Sequence, residues 1–413
     1  MPCEILKGVR IVDFGSFVAG PAATQYLGFL GAEVIKVEHP SRPDGARLFT
    51  AALNQLPPDP RTAASQVYSQ NNLGKQCIAV DYATEEGRQL VVDLVRTADV
   101  VCENMSVGAL ERHGLGYTAL SEVKPDLIYL ASSSCGEGGP DEAYVGYAST
   151  FACKAGLGAL TGYEDSPPST FVGSIDVRSA TNAALAMLGA LYYRAITGRG
   201  QRVEISSQEA IASQLGDVYL DCLINGNVQG RMANARPGFA PQGAYRTDED
   251  DSWIALSVET EAQWCLFCEA MENQALATDC RFASLEARFE HRRELDALID
   301  AWTAPRHRVE LLALLQQRGV PSGPVYGGKG TFEDLHRIER ESYYLINNRD
   351  LGKECVQRPA WRYGKTPVEV PREAPCWGEH TVQVLKNVLG KTDREIQGLS
   401  ERGIVRRMFD GGV

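Results

Sequence analysis

Hydrophobic positions in the first third of the chain fall into two alternating rhythms. Five short runs, GVRIVDF, AEVIKVE, CIAVDY, DVVCEN and LIYLASS, are rich in β-branched and other apolar residues. Runs of that length and kind predict strands of a buried sheet. Between them lie stretches of helical character: Ala22 to Leu30, closed by Gly31, and the amphipathic EEGRQLVVDLVRTA. Strand, helix and strand in this order predict a doubly wound α/β domain with a parallel sheet.

The rhythm changes after Gln201. ISSQEAIASQLGDVYLDCLIN predicts helix, GNVQGRMANARPGFAPQGAY a linker or ordered loop, and WIALSVE a strand. From about 260 to 318, helical patches with charged faces alternate, which predicts a second, smaller domain. Beyond Thr331 no fresh strand–helix–strand rhythm starts. The 413 residues exceed the usual size of one core, so two domains fit the length as well.

Charge and cysteine usage narrow the function classes. The net charge is −12, from 53 acidic and 41 basic residues, and no basic stripe for nucleic acid is apparent. The start, MPCEILKGVRIVDF, lacks the apolar segment of a signal peptide. The longest apolar run, Ala183 to Tyr193, is about half the length that spans a bilayer. Eleven scattered cysteines fit a reducing cytoplasm. Cys265, Cys268, Cys280 and His291 have spacing compatible with zinc. However, Cys265 and Cys268 stand three apart on a helical pattern and read as buried small residues, so no metal site is expected.

Four features carry candidate chemistry. GSFVAG, from Gly15 to Gly20, precedes a helix and can bind phosphate or carboxylate there, but it lacks the middle glycine of a dinucleotide fingerprint. SSSCGEGGP, Ser132 to Pro140, leaves a strand as a glycine-rich loop whose N–H groups can receive an oxyanion or serve a plain tight turn. Asp176 stands ahead of a long Ala- and Leu-rich helical segment. It reads either as a helix cap or as a nucleophile toward an activated acyl carbon such as a thioester. Finally, Arg47, Lys75 and Arg112, with Asn104, lie at element ends and as a set can clamp phosphates of a large anionic ligand.

These stretches, in this order, resemble the class III CoA-transferases of the formyl-CoA transferase and carnitine CoA-transferase type. The resemblance runs from LKGVRIVDFGSFVAGPAATQYLGFLGAEVIKVEHPSRPDGAR through GKQCIAVDYATEEGRQLVVDLVRTADVVCENMSVGALERHGLGYTAL, GEGGP and TGRGQRVEISSQEA to VPSGPVY and GEHTVQVL. It implies a Rossmann-like large domain over 1–215, a linker over 216–240, and a small α+β domain over 241–330. Residues 331–413 form a linker and a C-terminal segment returning to the large domain. Two subunits interlock like chain links. It implies Asp176 as nucleophile, forming first an acyl anhydride with the donor and then an aspartyl-CoA thioester, which the acceptor acid resolves. Val18, Ala19, Tyr147, Gly136, Gly138 and Gly139 border the acyl site by this analogy. Arg47, Lys75, Asn104, Met105 and Arg112 contact CoA. CoA and acyl-CoA are substrates, and no permanently bound cofactor or metal is implied.

The chain departs from that pattern at identifiable positions. Val18 replaces a polar Gln, which disfavours oxalate and points to a larger or more apolar acid, with succinyl-CoA as the donor. Ala148 and Ala180 stand where Asp and Gly are common. Two rival functions follow from the same resemblance. A 2-methylacyl-CoA racemase needs a His where Tyr147 stands, and Tyr is a poor base near neutrality. A largely structural subunit of a heteromeric transferase would explain Ala148 and Ala180, but not the retention of Asp176.

Overall fold

The computed structural model describes residues 4–49, 59, 61–170, 174–368 and 372–407. The chain divides into two compact units. The larger contains 1–158, 169–228 and 341–413, and the smaller contains 159–168 and 229–340.

The larger unit is built on a seven-stranded sheet. Its strands are β1 (Arg10–Asp13), β2 (Glu33–Glu38), β3 (Gln76–Val80), β4 (Val100–Glu103), β5 (Ile128–Ser133) and β6 (Gln201–Ser206), in the order 3-2-1-4-5-6 and all parallel. The C-terminal Val405–Arg406 adds an antiparallel edge beside β3. This is the doubly wound order in which the connections reverse between β1 and β4, opening a crevice at the carboxyl ends of those strands.

The five predicted strands are all present, because their residues suit burial on both faces. Val12, Ile35, Ile78 and Val101 join one apolar cluster, while their neighbours Ile11, Val34, Val100 and Ile128 join the other. Helix α1 (Ala19–Phe29) covers the second face. Helix α2 (Glu85–Arg96) covers the first, capped by Thr84, whose hydroxyl accepts from the Gly87 N–H, and burying Leu90, Val91, Leu94 and Val95. Helix α3 (Ser174–Thr197) packs Ala180, Ala183, Ala184, Met187 and Ala190 into the same cluster as α1, its small side chains allowing close approach. Helix α4 (Gly216–Asn225) follows and buries none of its residues.

Helix α1 starts three residues before the expected Ala22. Pro21 sits in its first turn, where its missing N–H has no intrahelical role, so the loop after β1 is only Phe14–Val18.

The smaller unit carries an antiparallel sheet of β7 (Gln242–Arg246), β8 (Trp253–Ser257) and β9 (Ser322–Val325). Its own core includes Trp264, Phe267, Leu295 and Ile299. Cys265 and Cys268, expected on one buried face, part: Cys268 is buried and Cys265 exposed. Among the described residues no three His, Cys, Asp or Glu gather in a metal-binding group. Strands β10 (Tyr343–Asn348) and β11 (Gly352–Gln357) form a hairpin that belongs to the larger unit. No helix among the described residues is long and apolar enough to cross a membrane.

Candidate active site

At the carboxyl ends of β1, β4 and β5, the larger unit holds a cavity of about 520 Å³. Ser16 to Ala19 line it from the loop and helix start after β1, Asn104 to Val107 from the turn after β4, and Ser132 to Ser134 from the end of β5. Glu142, Tyr144 to Tyr147, Thr150, Phe151, Asp176 and Ser207 complete it. No Lys, Arg or His is among its lining residues. Val18, Ala19, Asn104, Met105, Tyr147 and Asp176, all singled out in the sequence, are therefore brought to one place.

The loop after β1 is fixed by polar groups from distant segments. The Asn104 amide grips Ser16 at both ends: its oxygen accepts from the Ser16 N–H at 2.8 Å and its nitrogen donates to the Ser16 carbonyl at 2.9 Å. Gly20 makes that approach possible, since a Cβ there would fall 2.8 Å from the Asn104 oxygen. Asp44 Oδ1 accepts from the Phe17 N–H at 2.8 Å and from the Ser16 hydroxyl at 3.0 Å. Phe17 is held at φ +60°, a left-handed conformation unusual for a bulky residue. Val18 stands at the N-cap of α1 without a capping side chain, leaving the first N–H groups of that helix uncapped beside the cavity.

Asp176 lies inside the first turn of α3 rather than at its cap, which corrects the capping alternative; Gly173 lies outside the described residues. Its carboxylate accepts no hydrogen bond from any described residue, and burial alone pushes it up to about 6. The helix dipole favours the anion, but the loss of water outweighs it. Tyr147 caps the helix that follows it. The Thr150 hydroxyl accepts from its N–H at 2.9 Å, and its ring meets Phe17 edge to face at 5.4 Å. Ala148 and Ala180, the two departures, are both buried in apolar clusters, where a polar replacement would lack partners.

Two expected phosphate contacts are corrected by their burial. Arg47 is 1% exposed; its guanidinium donates to Glu38 at 2.6 Å and to the Thr62 carbonyl at 2.8 Å. Lys75 is paired with Asp13 at 2.9 Å and also donates to Pro21 O, Thr24 and Asn72. Neither cation is free to meet an anion. Arg112 remains exposed, outside the cavity, with no ion pair to any described residue. The glycine loop is also engaged internally. The Gly136 N–H donates to Ser133, the Glu137 N–H to Glu204 and the Gly138 N–H to Glu142, so these three N–H groups are not free for an oxyanion. Gly136, Gly138 and Gly139 do not line the cavity.

Ser16, Phe17, Asp44, Thr150 and Ser207 were not singled out in the sequence. Only Asp44, an acid in a Gly/Pro-rich turn, carries even a weak local signal. Glu103, beneath the turn after β4, accepts from the Met105 N–H at 2.6 Å, and burial pushes its carboxyl up to about 8.

Residues 6–381 match the model of CoA-transferase family III. The chain belongs to that family. It is 35% identical to the succinyl-CoA–D-citramalate CoA-transferase of Chloroflexus aurantiacus, over 98% of this chain and 99% of that one. It is 30% identical to the succinyl-CoA:glutarate CoA-transferase of Mus musculus, over 97% of this chain and 90% of that one. Among solved structures, a CAIB/BAIF family protein from Brucella suis superposes with a TM-score of 0.80 at 30% identity, covering 92% of this chain and 98% of that chain. This family III chain is a CoA-transferase, and its parallel sheet is the family's.

Proposed function

We propose that this CoA-transferase moves CoA from succinyl-CoA to a dicarboxylic acid of four or five carbons, through covalent intermediates on Asp176. The observation that carries the reading is the Asp176 carboxylate: largely desolvated, without a hydrogen-bond partner among the described residues, and facing a cavity at the switch point of the sheet. A carboxylate stripped of water is a stronger nucleophile toward a thioester. Its attack expels CoA thiolate and forms an aspartyl acyl anhydride. The thiolate attacks the aspartyl carbonyl, releases the donor acid and leaves an aspartyl-CoA thioester. The acceptor carboxylate attacks that thioester, and the thiolate returns to the acceptor acyl group as Asp176 leaves. Each step exchanges one activated acyl group for another, so no outside energy source is required.

The surrounding residues suit those steps. Uncapped N–H groups at the start of α1 are placed to stabilise a developing oxyanion. The hydroxyls of Tyr147 and Ser207 offer neutral donors for a second carboxylate. Both relatives named above transfer CoA from succinyl-CoA, to citramalate and to glutarate, and Val18 likewise argues for an acid larger than oxalate. Arg112 supplies a phosphate contact from outside the cavity. The assembly is an interlocked dimer in the cytoplasm; the exposed apolar face of α4 supports a partner chain. The racemase alternative is less well served, because no His is among the described residues lining the cavity and Tyr147 stands where its His would be.

The test is intact-mass analysis after incubation with succinyl-CoA, with hydroxylamine trapping and peptide mapping. A CoA-sized adduct on Asp176, missing in Asp176→Asn, is expected. CoA binding without an adduct from any donor overturns the assignment.

A further inference from the structure

Phe17 lines the cavity from a left-handed backbone, at φ +60°. A left-handed backbone disfavours an aromatic side chain, and glycine would satisfy the turn without strain, yet a ring is kept there, packed on one side against the apolar cluster of Ala46, Ala63 and Tyr68. Three separate features nonetheless hold the ring in place. Asp44 accepts from the Phe17 N–H at 2.8 Å and is itself anchored by buried Lys36, 2.9 Å from its other oxygen. Gly45 leaves room for the ring, since a Cβ there would fall 2.4 Å from the Phe17 Cζ. Tyr147 meets it edge to face at 5.4 Å. The ring thus has two sides, one on the apolar cluster and one on the cavity wall, and strain maintained at such a wall points to a role toward the ligand beyond packing.

We propose that Phe17 is a specificity-determining residue: with Tyr147 it closes the acyl end of the Asp176 cavity and limits the length of the acyl tail, and Asp44 and Gly45 position it. The inference rests on the reading of Asp176 as the acylated residue. It names the ligand class that the closed wall admits, short acyl groups of about the length of succinyl and glutaryl, against long-chain ones. The aromatic pair sets this limit by shape, so it acts alike on the donor acyl group and on the acceptor acid.

Two substitutions test the wall from opposite sides. Phe17→Gly removes the ring and keeps the left-handed backbone. Gly45→Ala leaves Phe17 intact and displaces its ring: the Gly45 backbone is not left-handed, so the added methyl meets no backbone strain and its clash is with the Phe17 ring. The full chain and both variants are mixed with succinyl-CoA or with octanedioyl-CoA, and the rate of hydroxylamine-trapped adduct on Asp176 is followed by mass. The readout is the ratio of the two rates. The wild-type chain is expected to favour succinyl-CoA at least tenfold, and both variants to narrow that ratio by a similar factor. The double variant is expected to match Phe17→Gly, because without a ring the alanine displaces nothing. A wild-type chain without preference, or a preference unchanged in both variants while Asp176 is still labelled, overturns the role of Phe17 and leaves the transferase standing. No Asp176 adduct from either donor in the wild-type chain overturns both.

Discussion

The ammonium of Lys75 stands 2.9 Å from the carboxylate of Asp13, and both side chains are closed off from water. Two further pairs lie nearby at the carboxyl ends of β1 and β2: Lys36 with Asp44 at 2.9 Å and Arg47 with Glu38 at 2.6 Å. Burying six charges costs more desolvation than a hydrophobic patch would, so such pairs add little net stability. What they supply is position. Asp13 receives the Gly15 N–H, Lys36 donates to the Gly15 carbonyl, and Asp44 holds Ser16 and Phe17. The charged layer is a rigid floor for the loop that lines the cavity.

Removing one member of a buried pair strands the other. Lys75→Met is expected to cost about 3 kcal/mol of stability in denaturant unfolding, through Asp13 rather than through any loss of a CoA contact. Arg112→Ala should behave in the opposite way. Its exposed side chain makes no ion pair with any described residue, so stability changes by no more than about 0.5 kcal/mol. The KM for acyl-CoA rises several-fold if the guanidinium meets a phosphate. Equal KM effects from the two, each corrected for folded fraction, would return Lys75 to the binding surface.

Burial raises Asp176 to about 6, and this has two consequences of different sign. The nucleophile is the carboxylate, so the rate of adduct formation is expected to fall about tenfold per pH unit below 6 and to level off above it. For stability, the folded state binds the proton more tightly than the unfolded chain, whose Asp titrates near 3.8. Stability contributed by this group is therefore greatest below 3.8 and declines as the pH rises through 6. Asp176→Asn removes the desolvated charge and is expected to gain about 1 kcal/mol at neutral pH while abolishing the adduct. A variant both inactive and destabilised would instead indicate a structural role. The pH–rate profile and thermal melts check both arms.

How much of this was visible in the sequence depended on the range of the interactions. Five of the six parallel strands were legible because each is rich in apolar residues, and Ile11 beside Val12 already implies two covered sides; β6, QRVEIS, is half polar and little buried, and its end read as helix. Asp176 was legible as an acid at the head of a helix, but not its lack of partners, which depends on what surrounds it in three dimensions. Arg47 and Lys75 read as exposed cations at element ends. Their partners, Glu38 and Asp13, lie on neighbouring strands whose register no local pattern reveals. The glycine loop misled for the same reason: Glu204, from β6, fills the N–H of Glu137 across 67 positions. Phe17 was invisible because its conformation is imposed by Asp44 and Gly45, more than twenty-five residues away in sequence.

Glu38 provides an acid-side prediction of opposite sign to that of Asp176. Burial disfavours its anion, but Arg47 outweighs this and holds the carboxyl near 2, below its ordinary 4.5. A depressed acid contributes stability that is fully present above 4.5 and lost as the pH falls toward 2. Unfolding free energy is expected to fall steeply across that window. In Glu38→Gln the loss should flatten, with about 3 kcal/mol already missing at neutral pH because Arg47 remains buried without its counter-ion. An unchanged acid limb in the variant would place the acid-sensitive group elsewhere.

Helix α4 gives the last prediction, because it is apolar where a monomer should be polar. Leu223 is 81% and Ile224 75% exposed, with Tyr219 and Leu220 beside them, and Val228 follows just beyond the helix. Isolated apolar residues on a surface need no explanation, but a cluster along one helix that buries nothing does. A second chain is the economical cover, since an interlocked dimer removes this face from water in both copies at once. Sedimentation of the wild-type chain at micromolar concentration is expected to give a dimer. Leu223→Asp combined with Ile224→Asp should shift it toward monomer with its circular dichroism unchanged, because neither side chain packs inside the larger unit. A wild-type monomer, or a double variant that remains fully dimeric, would show that the association does not run through α4. The dimer also bears on catalysis. The described residues lining the cavity around Asp176 include no cation, so any positive charge brought directly against a second substrate carboxylate must come from outside that lining, and loss of activity on dissociation would identify the partner as its source.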